Sequence, residues 1–133
     1  MSDELNDLIA RARDGASAIQ ELQDRYDVVG WQIKDPSYAQ VRHILLHLMK
    51  ITADVAVIVE HVEHELHNGT DPTDAARAFD NVLQERSDLG AELLFHASQF
   101  ANLSHCNMVD EVVKIYARNA KRFAPDSEFN ALG

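Results

Sequence analysis

The sequence has only three prolines and five glycines, and they fall between stretches in which apolar residues return every three or four positions. That spacing is the period of an amphipathic helix, and the scarcity of breakers lets each helix run long. No segment reads convincingly as a strand. Ser2 can cap a first helix that runs to about Val28, disturbed at Gly15, with apolar positions from Leu5 through Ala16 to Ile19 and Leu22. "VGWQIKDPS" interrupts the period, and Asp35-Pro36-Ser37 is a helix-start signal. A second helix is predicted from about Ser37 to Asn68, with Gly69 as its C-cap and a core stripe from Ile44, Leu48 and Ile51 to Leu66.

"TDPTD" at 70–74 starts a third helix: Asp71 is the cap, Pro72 the first helical residue, and Asp74 lies in the first turn. It is predicted to run to about Leu103, with a break near Phe79–Asn81 as an option. "SHCN" at 104–107 is the next turn, a fourth helix covers roughly Met108 to Phe123, and a loose tail follows Pro125. The fold class is all-α, an antiparallel four-helix bundle. At 133 residues the chain fits one domain, with a core over about 25–123 and a tail over 124–133. The piece "VAVIV" at 55–59 is apolar on every side of the second helix. A helix apolar all round is buried all round, so a homodimer, or a dimer of dimers, through the long central helices is expected.

A formal net charge of −10 argues against a nucleic-acid or membrane partner, because both call for a positive face. It leaves room for a nucleotide, whose phosphates can be held through a divalent cation and a few local basic residues. Cys106 is the single cysteine, so no intramolecular disulfide is available. The N-terminus MSDELNDL does not read as a signal peptide, no apolar run approaches a membrane span, and a cytoplasmic location is expected.

Chemistry concentrates in "QERSDLGAELLFHASQFAN" (84–102). Glu85, Asp88, Glu92 and His96 recur at steps of three and four beside Leu89, Leu93, Ala97 and Phe100. An acidic stripe bordering an apolar one is costly unless something neutralises it. Two carboxylates one helical turn apart can share a hard divalent cation, and a pair on a facing helix completes the cage. A solvated helix edge is the competing interpretation.

"ERSDLGAELLFHASQFAN…MVDEVVKIYARNAKRF" resembles the second half of the MazG-like all-α nucleoside triphosphate pyrophosphohydrolases. The matching elements are ExxD (Glu85, Asp88), an Ala-Asn element (Ala101, Asn102) and an "N..R" helix end (Asn119, Arg122). Upstream, "W…YAQVRHILLHLMKITADVAVIVEH" is similar to the family's first long helix, including Lys50 shortly before the acidic motif. The resemblance covers roughly 25–123. It implies a four-carboxylate magnesium site (manganese as a substitute) that promotes water attack on a nucleoside triphosphate, releasing the monophosphate and pyrophosphate in nucleotide-pool housekeeping.

The family's ExxE half departs from pattern here, and two registers are open. Alignment on Lys50 puts the motif at "DVAV", where Asp54 matches but Val57 cannot bind a metal. The literal letters fall at "EHVE", Glu60 and Glu63. The metal candidates are therefore Asp54, Glu60, Glu63, Glu85 and Asp88, with Glu85 and Asp88 catalytic. The resemblance also implies phosphate contacts from Lys50, Asn119, Lys121 and Arg122. The basic stretch "KIYARNAKR" reads equally as a complement to the helix dipole. Trp31 can stack on a base or anchor the core.

Val57 supports an alternative: a catalytically inactive MazG-like nucleotide-binding or dimeric interaction module. The seven histidines support another. His43/His47 at i,i+4 and His61/His64 at i,i+3 have spacings that suit zinc or iron in a histidine-based metal-binding bundle. His96 fits either a supporting place beside the carboxylates or a satisfied core position.

Overall fold

The computed structural model describes residues 2–31 and 37–132. Among them five α-helices form in order: α1 (Asp3–Gly30), α2 (Ser37–His67), α3 (Pro72–Glu85), α4 (Asp88–Leu103) and α5 (Met108–Phe123). A short 3-10 helix, Glu128–Leu132, follows where a loose tail is expected. No strand occurs among the described residues. The chain is all-α, as its periodicity requires. The predicted start at Asp35-Pro36 lies outside the described residues.

The boundaries follow their caps. Ser2 Oγ accepts from the Leu5 N–H at 3.2 Å, and Asp71 Oδ1 accepts from the Thr73 N–H at 2.9 Å ahead of Pro72. Helix α2 ends with Thr70 N–H donating to Glu65 O and Gly69 N–H donating to Leu66 O. This Schellman closure sets Gly69 at φ +90°, where glycine carries no steric penalty. Helix α4 closes the same way, through Cys106 N–H to Ala101 O and His105 N–H to Asn102 O, but the left-handed position is held by His105 at φ 53°.

The predicted third helix is two helices. Its break is not at Phe79–Asn81 but at Arg86–Ser87, inside the ExxD motif. Glu85 is the last residue of α3 and Asp88 the first of α4. The motif therefore does not sit on one helical turn.

The chain divides into two compact units. The unit over residues 35–96 holds α2, α3 and the first half of α4. Its core is Ile51 and Ile58 of α2 against Leu89 of α4, with Leu48, Phe79 and Val82 packed around them. Ile44, also on the predicted α2 stripe, is fully buried. Leu93, expected to be buried, is exposed instead.

The unit over residues 1–34 and 97–133 holds α1, the end of α4, α5 and the 3-10 helix. Its buried face on α1 passes from Leu5 and Ala16 to Gln20 and Gln23, whereas Ile19 and Leu22 are exposed. The amides continue the 3.6-residue period, and the two aliphatic residues leave it. Phe129 packs edge-on to Tyr116, and Ser2 Oγ donates to the Glu128 carboxylate, which folds the 3-10 helix back onto its unit. Among the described residues, no helix is long and apolar enough to cross a membrane.

Candidate functional site

In the 35–96 unit, packing of Ile51, Ile58 and Leu89 holds α2 against the start of α4. That brings Asp54, one turn beyond Ile51, to the α3–α4 break. The two meet through Arg86. Its Nη2 donates to Asp54 Oδ2 at 3.2 Å and to Asp88 Oδ2 at 3.3 Å, and its Nε donates to Asp88 Oδ1 at 3.1 Å. Two carboxylates from different helices share one cation, and that cation is a side chain. The Arg86 hydrogen bond holds the Asp88 carboxyl below the usual carboxylate range. In turn the hydrogen bonds to Asp88 first, and then to Asp54, raise the Arg86 guanidinium further.

The remaining candidates are placed as follows. Glu85 is exposed at the end of α3. Glu60 and Glu63 are exposed on α2, and Glu60 Oε1 lies 3.7 Å from His64 Nε2. Lys50 is exposed on α2, one turn before Asp54. Asn119, Lys121 and Arg122 occupy the last turns of α5 in the other unit, where Arg122 lies over the Phe123 ring at 4.8 Å. Trp31 is half-buried just after α1. Among the described residues, no group of three or more His, Cys, Asp or Glu side chains is arranged to hold a metal ion.

His96 is buried, with its ring 5.1 Å from those of His47 and Phe95, and His43 lies 4.4 Å from His47. His43, His47 and His96 thus pack ring against ring at tilted angles within the unit.

In the other unit, Asn102 has a structural part. Its Nδ2 donates to Gln20 O at 2.9 Å, and its Oδ1 accepts from Gln20 Nε2 at 3.2 Å. Gln20 also donates to Cys106 O and accepts from the Met108 N–H, joining α1 to the α4–α5 turn. Asp27 Oδ1 accepts from both Gln23 and Gln99. Gln20, Gln23 and Gln99 are all buried, so their polar atoms require these partners. Apolar periodicity alone does not reveal this network. Its signal was available: residues 16, 20, 23 and 27 keep helical spacing while the side chains turn polar.

A cavity of about 670 Å³ lies in the same unit between α1 and α5, lined by Leu8, Ala12, Val112, Tyr116 and Phe129 among others, with Asn119 at its wall. Its apolar lining does not suit phosphate.

No protein-family model, curated protein or solved structure matches this chain.

Proposed function

We propose that the chain is a magnesium-dependent nucleoside triphosphate pyrophosphohydrolase, a divergent MazG-like all-α protein acting as a homodimer in the cytoplasm. The observation that carries this proposal is the convergence of Asp54 and Asp88 on one positive charge. Magnesium commonly keeps several waters and uses one or two protein carboxylates together with substrate phosphates. A two-carboxylate locus with Glu85 nearby in sequence fits that habit. The same convergence favours Asp54 over Glu60 and Glu63 as the partner of Asp88.

Asp54 and Asp88 would hold the ion together with substrate phosphates and water, and it would supply charge neutralisation and an acidified water. A carboxylate not engaged by metal takes the proton of the attacking water, with Glu85 the candidate. The new bond joins water oxygen to phosphorus, and the anhydride bond to pyrophosphate breaks. Lys50, one turn before Asp54 in the same unit, is the proposed phosphate contact.

Pyrophosphate release from canonical, deoxy and modified triphosphates, with magnesium, manganese or neither, tests the proposal. Turnover lost in Asp54→Asn and Asp88→Asn supports it, and no turnover with any substrate refutes it. Arg86 and Val57 favour a second reading, a nucleotide-binding module without hydrolysis: Arg86 fills the space between the carboxylates, and Val57 stands where a carboxylate is needed. Thermal stabilisation by nucleotide with no pyrophosphate released would select this second reading.

A further inference from the structure

Helix α2 has a second apolar face that α3 and the start of α4, its partners in the 35–96 unit, leave open. Leu45, Met49, Thr52, Ala56 and Val59 follow one another at steps of four, three, four and three. All are exposed, Met49 by 60%, and the neighbouring Val57 by 65%. That is a heptad seam, the pattern by which one helix packs against another. A shallow groove of about 410 Å³ runs along it at Leu45, Met49, Thr52, Ala53 and Ala56. The small residues at its middle allow the close approach that helix pairs need, about 8–10 Å between axes. A continuous apolar strip of this kind marks an interaction surface.

Charge identifies the occupant. On the same face, Arg42 precedes the apolar stretch, while Glu60 and Glu63 follow it, all three exposed. A parallel pair of copies would set Arg42 against Arg42 and glutamates against glutamates. An antiparallel pair, with its two-fold axis near Thr52, sets Arg42 of each copy against Glu60 and Glu63 of the other. It also sets Leu45 opposite Val59, and Met49 opposite Ala56. Flanking charges of this sort fix orientation in helix pairs. We infer that a second copy of this chain covers the outer face of α2, antiparallel, about an axis near Thr52. The inference extends the homodimer part of the reading above and is independent of catalysis. It gives Glu60 and Glu63 a role in the interface in place of metal binding.

Sedimentation of the full chain, wild type and two charge reversals, tests this. Arg42→Glu alone, and Glu60→Lys with Glu63→Lys, should each weaken dimerisation by roughly tenfold at low salt. An equimolar mixture of the two should restore it, because each chain then meets its opposite. A wild-type monomer at about 100 µM overturns both the interface and the homodimer. A dimer indifferent to both reversals overturns only the interface. Cysteine cross-linking in a Cys106→Ser background gives an independent check. Residues 45 and 59 are about 21 Å apart along one helix. Leu45→Cys mixed with Val59→Cys should cross-link, and Leu45→Cys alone should not. The reverse result would overturn the antiparallel arrangement.

Discussion

Ile51 is 3% exposed and touches the core of the 35–96 unit, where it helps hold α2 against α3 and α4. Replacing it with alanine removes three buried carbons, about 2.4 kcal/mol of transfer free energy at ~0.8 kcal/mol each. The cavity left behind adds to this, and the better helix propensity of alanine returns a few tenths. A net loss of about 3 kcal/mol is expected. Ile51→Val, which removes one methyl, should lose about 1 kcal/mol. In a domain of this size the alanine variant should melt roughly 10–15 °C lower. Val57→Ala is the internal control. It makes a similar change six residues along the same helix at an exposed position, and should alter the stability of the single chain by less than about 0.5 kcal/mol. It lies off the seam formed by Leu45, Met49, Thr52, Ala56 and Val59, about 100° round the helix from Ala56, so its effect should not change with protein concentration. Urea unfolding followed by circular dichroism at several concentrations separates the two. A loss below about 1 kcal/mol for Ile51→Ala, or equal losses for both alanine variants, would refute this assignment of the core. Because Asp54 is one turn beyond Ile51, loosening this packing should also weaken the Asp54–Arg86 pair.

Arg86→Gln removes the positive charge from between Asp54 and Asp88. If this is the cation locus, manganese or magnesium affinity by calorimetry should rise roughly three- to tenfold, from unit-charge Coulomb terms with salt screening; unchanged affinity places the ion elsewhere. Asp88 has its carboxyl pKa lowered in the fold by Arg86. Its stabilising contribution is therefore present above the unfolded value near ~3.9 and is lost as pH falls through the lower folded value. Unfolding measured between about pH 5 and pH 2 should show less acid dependence in Asp88→Asn, and identical profiles would contradict the pair. His105→Gly relieves a left-handed backbone position worth about 1 kcal/mol, so it should raise the melting temperature; a fall would show that the imidazole itself is needed there.

The α-helical class, most helix ends and the inner stripe of α2 were legible in the sequence. These are local matters: Ser2, Asp71 and Gly69 act on backbone groups within a few residues, and the 3.6-residue period writes Ile44, Ile51 and Ile58 on one line. The break inside ExxD was harder to see, because "QERSD" contains neither glycine nor proline. Ser87 ahead of the acidic Asp88 was the one local start signal. Periodicity also misplaced part of the α1 face. Burial there follows hydrogen-bond partners that come from α4 and the α4–α5 turn, so Gln20 and Gln23 go inside while Leu22 stays out.

The sequence alone determined that Asp54, Glu60, Glu63, Glu85 and Asp88 were available as acids, and left two registers open for how they meet. Only the tertiary structure decided that Asp54 is the one sharing a cation with Asp88, and that Arg86 is this cation. Which acids meet depends on the length of the α2–α3 turn, the break before Asp88 and the fit of Ile51 and Ile58 against Leu89. Helical spacing within a single segment cannot encode a distance between segments.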